Sequence, residues 1–287
     1  MHPGVVAAVV ALLFILGVSM YYSSATTEEG FATETQSIGV VSMMKQPKNL
    51  DTWLDRHRRL GIVHFYIRLE DSPEDAIFLQ QQSDVTLQIG ESTGVNEYEM
   101  IQRRQETWIN EALQLATEEH HVQWLIHIDA DEILTGNLDE IRSFSNDVRT
   151  FWFQNVEAKF ADIPRSEDNC FNASAFANCA TEPAKCVSYG NGKSGGRVAA
   201  DVSSHGPHRM TSSMSEAKEV KLEEVFVEHY ESCDFEVYKK KFKALAVQDR
   251  SNDIPFSYYN ESIEAARNDE DGSAKLLEEV YRKYRVQ

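Results

Sequence analysis

Short strand patterns alternate with helix patterns over residues 37–135, and this alternation limits the chain to few folds. Apolar and β-branched runs predict strands at Ile38–Met44, Ile62–Ile67, Val85–Ile89 and Trp124–Ile128. Strands joined by helices normally pair in parallel, because each helix returns the chain to the same end of the sheet. The sequence therefore predicts an α/β fold with a mostly parallel central sheet.

Helix patterns fill the gaps between these strands. Apolar side chains recur at helical spacing from Trp53 to Leu60, and Gly61 follows as a helix-ending residue. A longer stripe of the same kind extends from Ile101 to Ala116. We expect these helices to cover the sheet.

The second half of the chain is less regular. Strands are predicted at Phe151–Phe153, Arg197–Val202 and Val225–Val227. Amphipathic helices that pack on the outside are predicted at Phe235–Ala246 and Ala274–Tyr284.

An acidic pair follows the last of the regular strands directly. Asp129 and Asp131 are two residues apart, so in an extended chain their side chains point to the same side. Ligands of α/β sheets bind beyond the carboxyl ends of the strands. Two carboxylates placed there are suited to one Mg²⁺ or Mn²⁺ ion, which would neutralise a bound diphosphate.

Two other interpretations of this acidic pair are a calcium-binding loop and a helix-capping turn. A calcium-binding loop is excluded, because its sixth position is Leu134 where the sharp turn requires glycine. A polar turn that caps a helix near Leu138 is the structural alternative to a metal site.

The overall charge limits the classes of partner. With 28 basic and 46 acidic side chains the formal net charge is −18 and the isoelectric point about 4.9. Nonspecific nucleic-acid binding needs a basic surface, so we expect no nucleic-acid partner.

The amino terminus is the most apolar part of the chain. No charged side chain occurs from Gly4 to Tyr22, so residues 1–22 are predicted to be a signal anchor or transmembrane helix, followed by a stalk at 23–36 and one domain at 37–287. A signal peptide cleaved near Ser23–Ala25 is the alternative. The anchor predicts a single-pass type II membrane protein of the Golgi or ER lumen, with the membrane as a partner.

The chain has four cysteines, at Cys170, Cys179, Cys186 and Cys233. No two of them are spaced as C-x-x-C, which favours disulfides over a zinc site. The sequence leaves open which of the three possible disulfide pairings these four cysteines form. The sequons that begin at Asn172 and Asn260 agree with a glycoprotein in an oxidising lumen.

Several segments in fixed order over residues 37–245 together resemble a known family. They are Val40–Lys45, Trp53–His57, Leu60–Tyr66, Trp124–Ile133, Gly192–Ser194 with Arg197, His205–His208, and His229–Tyr230 with Phe235–Phe242. The pattern resembles the membrane-anchored glycosyltransferases of the GT-A fold, in the broad family 2 and family 92-like group. The opening strand departs from the family, since it ends Lys45-Gln46-Pro47 in place of Lys-Asn-Glu. The resemblance implies a Rossmann-like GT-A single domain.

The resemblance also implies roles for particular residues. Asp131 would bind the metal directly, and Asp129 would contact the ribose or hold a metal-bound water; both would be catalytic. His208, or else His205, would complete the metal shell. The residues expected to contact the nucleotide are Met44, Lys45, Asp129, Lys193 and Arg197.

Taken with the acidic pair, the resemblance implies a transferase that uses Mn²⁺ or Mg²⁺. It would move a sugar from a UDP- or GDP-linked donor to a hydroxyl of a glycan or glycoprotein, with inversion. Inversion requires a carboxylate base, for which the candidates are Glu157, Asp162, Asp201 and Asp234.

The rival interpretation is a catalytically inactive, membrane-tethered carbohydrate-binding protein of the same fold. A nucleotidyltransferase is disfavoured, because Met43–Pro47 is not a glycine-rich basic loop.

Overall fold

The computed structural model describes residues 36–92, 97–120, 122–247, 256–269 and 272–287, which form strands and helices around one large sheet. The strands are β1 (Ile38–Lys45), β2 (His64–Glu70), β3 (Val85–Gly90), β4 (Trp124–His127), β5 (Glu132–Gly136), β6 (Val148–Lys159), β7 (Ala175–Asn178), β8 (Lys193–Arg197), β9 (Val202–Ser204), β10 (Met210–Ser212) and β11 (Lys218–His229). The α-helices are α1 (Leu50–Leu60), α2 (Pro73–Leu79), α3 (Glu97–Leu115), α4 (Asp139–Arg142), α5 (Phe235–Ala246), α6 (Ser257–Arg267) and α7 (Lys275–Arg285). A π-helical turn, Ala116–His120, continues α3, and Pro183–Lys185 form a 3₁₀ turn.

The large sheet has nine strands in the order β3-β2-β1-β4-β8-β6-β11-β5, with β7 paired to β6 off this path. Strands β3, β2, β1 and β4 pair in parallel, β8 lies antiparallel between β4 and β6, and β11 is parallel to β6. Six of the nine strands therefore run in one direction, because β5, β7 and β8 alone are reversed. The prediction of an α/β fold with a mostly parallel sheet is confirmed, and the arrangement is Rossmann-like.

Local chemistry sets the ends of several helices. Gly61 ends α1 with φ of 97°, a left-handed conformation that glycine adopts without a steric penalty. Pro73 begins α2, where its missing N–H is not needed. Asp234 caps α5, since its carboxylate accepts hydrogen bonds from the backbone N–H groups of Glu236 and Val237.

The two faces of the sheet pack against different helices. Val40 of β1 is buried on one face together with Trp53 and Leu54 of α1, while the next residue, Val41, is buried on the other face with Trp108 of α3. Both faces are thus covered, which explains why the first strands are continuous apolar runs.

One predicted strand is wrong. The segment Arg197–Val202 is divided between the end of β8 and the start of β9, with a turn between them. The backbone N–H of Val202 donates to the carbonyl oxygen of Ala199 at 3.0 Å, a contact that an extended strand cannot make. The outer helices predicted at Phe235–Ala246 and Ala274–Tyr284 are confirmed as α5 and α7.

The predicted anchor at 1–22 and almost all of the predicted stalk at 23–36 lie outside the described residues. Within the described part of the chain, no helix combines the length and the apolar character needed to cross a bilayer. The expected single-pass type II topology and the Golgi or ER location are corrected accordingly, because no membrane-spanning helix of the described residues supports them.

The four cysteines form two disulfides. Cys170 is bonded to Cys233, and Cys179 to Cys186. The prediction of disulfides is confirmed, and the tertiary structure selects one of the three pairings that the sequence leaves open.

His57 is a buried histidine whose protonation state is set by two backbone groups. Its Nδ1 lies 2.8 Å from the carbonyl oxygen of Trp53, and its Nε2 accepts the N–H of Leu134 at 3.0 Å. A ring that donates at one nitrogen and accepts at the other is neutral. Burial lowers the pKa of His57 to about 4, against 6.5 for an exposed histidine.

We expect this histidine to make the fold sensitive to acid. Because the folded-state pKa is below the unfolded one, its contribution to stability is complete above pH 6.5 and is lost as the pH falls towards 4. Between pH 7 and 4.5 the loss should be about 2 to 3 kcal/mol. Urea unfolding of the wild type and His57→Gln at both pH values measures it. Equal pH dependence in the two proteins would contradict the assignment.

Candidate metal centre

The acidic pair lies at the carboxyl end of β4, as the strand pattern predicts. The N–H of Ile128 still donates to the carbonyl oxygen of Val41 in β1 at 3.1 Å, so the strand geometry persists up to Asp129. The chain then turns, with the N–H of Glu132 donating to the carbonyl oxygen of Asp129 at 3.2 Å, and enters β5. Asp129 and Asp131 therefore belong to a tight loop between two strands of the same sheet.

The carboxylate of Asp129 is bound by neighbouring side chains. It forms an ion pair with Lys193, whose side chain is fully buried, and accepts a hydrogen bond from Nε2 of Gln105 at 2.8 Å. Burial would raise the pKa of Asp129, but the Lys193 ammonium outweighs burial and holds it below its ordinary range. Asp129 is thus ionised, and Lys193 offsets its charge.

Asp131 has a different set of neighbours. The N–H of Tyr230, the residue directly after β11, donates to the carbonyl oxygen of Asp131 at 2.8 Å and brings the two chain segments together. The Oδ2 atom of Asp131 lies 3.6 Å from Nε2 of His229, and that nitrogen lies 3.9 Å from Oε2 of Glu231. One ligand atom from each of the three side chains lies within 4.8 Å of the other two. We call these three residues the Asp131 cluster.

Two neighbours of His229 that lie outside the Asp131 cluster contact its Nδ1 atom, and the other ring nitrogen faces the cluster. Its Nδ1 lies 3.0 Å from Oε1 of Glu157 and 3.2 Å from Oγ of Ser188. A carboxylate can only accept, so Nδ1 carries the hydrogen. Nε2 is then the ring nitrogen that faces Asp131, which is the arrangement of metal-binding histidines that are oriented by a carboxylate.

Electrostatics favour a cation within the Asp131 cluster. Burial would lower the pKa of His229, but the negative charges of Glu157 and Asp131 raise it well above its ordinary value. Burial would also raise the pKa of Glu231, yet the Lys241 ammonium, 2.8 Å from Oε1, lowers it to about 2. Two carboxylates and one imidazole are a donor set that fits Mn²⁺ or Mg²⁺, with Mn²⁺ the better match for a nitrogen ligand.

A second group of potential metal-binding side chains does not form a site. Glu157, Cys179 and Cys186 also lie close together, but the two cysteines are bonded to each other. They therefore offer no thiolate to a metal ion.

The structure places both predicted metal-binding histidines, His208 and His205, outside the Asp131 cluster. The Nδ1 atom of His208 lies 2.9 Å from the carbonyl oxygen of Gly192, and burial lowers the pKa of His208 to about 4. The His208 ring contacts the ring of Tyr189, with centroids 4.7 Å apart. His205 is exposed, and its Nε2 lies 3.4 Å from Oγ of Ser203.

The residues expected to contact the nucleotide are divided between two ends of the sheet. Lys193, at the start of β8, lies beside Asp129, and Lys45, at the carboxyl end of β1, pairs with Asp71 at 2.9 Å. Met44 precedes Lys45 in β1 and is buried in the core.

Arg197 lies at the opposite end. It is paired with Trp124 at the amino end of β4, and its guanidinium lies 4.3 Å from the centre of the indole ring. Asp129 is five residues further along, about 16 Å away at roughly 3.3 Å per residue. The structure therefore does not bring Arg197 to the Asp131 cluster.

The four candidate bases all have structural partners. Glu157 is fully buried behind His229. Asp162 is exposed and pairs with Arg282 at 2.8 Å. Asp201 forms an ion pair with Arg149 beside the ribbon of β9 and β10, and Asp234 caps α5.

The sequence did not identify His229 and Glu231 as members of the metal cluster, nor the role of Glu132. Glu132 is fully buried between the Tyr189 hydroxyl and Lys193, whose Nζ is 3.2 Å away, and burial raises the pKa of Glu132 to about 7. Glu231 stands two residues after His229, the same spacing that separates Asp129 from Asp131. That repeated spacing at the end of a second strand was the signal available for Glu231.

Comparison with known proteins gives weak similarities. No protein-family model and no curated protein matches the chain. Among solved structures, Rv0371C in complex with manganese, from Mycobacterium tuberculosis H37Rv, is 12% identical over 42% of this chain and 66% of that chain, with a TM-score of 0.30. HddC from Yersinia pseudotuberculosis, complexed with GMP-PN, is 9% identical over 71% of this chain and 99% of that chain, with a TM-score of 0.34.

A third structure is a CMP:2-keto-3-deoxy-manno-octonic acid synthetase complexed with CTP, 6% identical over 49% of this chain and 64% of that chain, with a TM-score of 0.26. The chain thus spans slightly less than two thirds of the first and third of these structures. At TM-scores below 0.5 the similarities do not identify a family, and none of the three is named as a glycosyltransferase. The fold assignment therefore depends on the strand order and pairing of this chain.

Proposed function

We propose that this protein is a metal-dependent transferase acting on nucleotide-diphosphate sugars, and specifically a glycosyltransferase that passes the sugar to a glycan or glycoconjugate hydroxyl. The observation that supports it best is the Asp131 cluster at the carboxyl end of β4. An oxygen-rich cation site at this edge of an α/β sheet is suited to an anionic nucleotide.

In this proposal Asp131, His229 and Glu231 hold Mn²⁺ or Mg²⁺. When bound there, the ion would supply Lewis-acid stabilisation of the charge that develops on the leaving diphosphate. Glu157 orients His229, and Lys241 keeps Glu231 ionised.

Asp129 has a separate role from Asp131 in this proposal. Because Lys193 and Gln105 already hold its carboxylate, Asp129 would shape the site next to the ion and would contact the ribose or a metal-bound water. Lys45 is the proposed cationic neighbour of the diphosphate, whereas the fully buried Lys193 offsets the charges of Asp129 and Glu132. Met44 supports the end of β1. Arg197 is left out of the proposal, since it lies at the amino end of β4.

We also propose that the transfer inverts the anomeric centre, an expectation that depends on the family resemblance. Inversion needs a carboxylate near the acceptor hydroxyl. Glu157 is excluded from that role by its complete burial. Asp201 and Asp234 are largely buried in an ion pair and a helix cap. Asp162 also pairs with Arg282, but its side chain is exposed, so it is the candidate that we propose as the base.

The first test is thermal unfolding of the full chain with UDP, GDP, CMP and CTP, each with and without Mn²⁺. A nucleotide that binds the folded state should stabilise it by roughly 2.7 kcal/mol at a hundredfold excess over its Kd. We expect such a shift for UDP or GDP and only when Mn²⁺ is present. The absence of a shift with every nucleotide, in a folded sample, would contradict the proposal.

The second test separates transfer from other activities. Release of the nucleoside diphosphate from UDP- or GDP-sugars, dependent on Mn²⁺, supports a glycosyltransferase. Pyrophosphate release from a nucleoside triphosphate and a sugar 1-phosphate would reassign the chain as a nucleotidyltransferase. Glycan binding without any nucleotide turnover would favour the inactive carbohydrate-binding protein.

A further inference from the structure

A buried line of three polar side chains connects the last helix to the metal centre. Nη1 of Arg285, in α7, lies 3.2 Å from Oε2 of Glu157 in β6. The other oxygen of that carboxylate, Oε1, lies 3.0 Å from Nδ1 of His229 at the end of β11. Arg285 and Glu157 are both fully buried, and His229 is 4% exposed.

Apart from Glu157, the Arg285 guanidinium interacts with the hydroxyls of Tyr258 and Tyr281. Among the residues that the structure describes, its Nε and Nη2 atoms have no hydrogen-bond partner. Its guanidinium lies 5.3 Å from the centre of the Phe160 ring. A buried arginine is expensive to desolvate, and packing alone is served equally well by an apolar side chain. The ion pair with Glu157 is therefore the feature that explains an arginine at this position.

Glu157 can direct His229 only if its own plane is fixed. With one oxygen on Arg285 and the other on His229, the carboxylate is held at both ends. The Nδ1–H group then stays directed at Glu157, and Nε2 points towards Asp131 and Glu231.

We propose that Arg285 is a positioning residue for the metal centre. Through Glu157 it holds the His229 ring in the orientation that presents Nε2 to a divalent cation. This inference rests on the proposed function, because it assigns Arg285 to the metal site of that function. It makes the carboxyl-terminal helix α7 part of the metal-binding machinery, although α7 contributes no ligand itself.

The test is Mn²⁺ binding to the metal-free full chain, measured by calorimetry. Loss of a residue that hydrogen-bonds a metal ligand typically weakens metal binding by about 10- to 100-fold, and Arg285 acts one contact further out, through Glu157. We therefore expect a rise of about 10-fold, the lower end of that range, in the Kd for Mn²⁺ in Arg285→Met. A smaller rise is expected in Arg285→Lys, which keeps a donor and the charge. Arg282→Met is the matched control. It removes an arginine from the same helix whose partners are Asp162 and Glu278, and should leave the Kd unchanged.

A second variant separates positioning from folding. Arg285→Met leaves Glu157 buried without its cation and is open to general destabilisation. The double variant Glu157→Leu/Arg285→Met removes both charges and restores an apolar contact. We expect it to fold like the wild type, by circular dichroism and thermal unfolding, and still to bind Mn²⁺ about 10- to 100-fold more weakly.

The outcomes distinguish the two proposals. A wild-type Kd in the folded double variant, or in Arg285→Met, would overturn the positioning role while leaving the metal-dependent function intact. Failure of the wild-type chain to bind Mn²⁺ would overturn the proposed function and the positioning role with it.

Discussion

Replacing Asp131 by asparagine is expected to lower Mn²⁺-dependent release of nucleoside diphosphate by a factor on the order of 10³. Asp131 is the most accessible member of the Asp131 cluster, with 39% of its side chain exposed, and it faces His229 Nε2 at 3.6 Å. Asparagine keeps the size of the side chain and removes its negative charge. The affinity for Mn²⁺ should fall together with the activity, since the same atom would serve both.

A matched control uses an acidic residue away from the site. Asp139→Asn makes the same chemical change in α4, where the side chain is 76% exposed and pairs with Arg142. It should retain wild-type activity and metal affinity. Full Mn²⁺ binding by Asp131→Asn, measured by calorimetry on folded protein, would show that the ion is held elsewhere.

Removing the disulfide between Cys170 and Cys233 is expected to produce the largest loss of stability. The bond joins residues 63 apart in sequence, and on the chain-entropy account it stabilises the fold by about 4 kcal/mol. It also tethers the turn that contains Glu231 and Asp234. Denaturant unfolding of the double variant Cys170→Ala/Cys233→Ala measures the effect.

The second disulfide supplies an internal comparison. Cys179 and Cys186 are only 7 residues apart, so their bond should contribute about 2 kcal/mol on the same account. Equal losses from the two double variants would show that loop closure is not the main source of stabilisation.

The first half of the fold was predictable from local patterns. Strands β1 to β4 and the helices between them are built from runs whose apolar spacing is specific for strand or helix, and both faces of the sheet are covered. The second half was harder to predict because its strands are held by long-range pairing. Glycines occupy Gly195 and Gly196 of β8, where an added Cβ would lie 2.4 Å from Phe151 and 2.6 Å from Val202, so packing and not strand propensity selects them.

The candidate site, like the fold, was predictable from the sequence only in part. The sequence by itself determined that Asp129 and Asp131 stand at the end of a buried strand, since that placement follows from the local apolar run. Only the tertiary structure distinguished their surroundings, by bringing Lys193 to Asp129 and His229 to Asp131. The pairing of β5 with β11 sets His229 opposite Glu132, joining segments about 100 residues apart. Strand register of this kind depends on packing across the whole sheet, and no local spacing in the sequence encodes it.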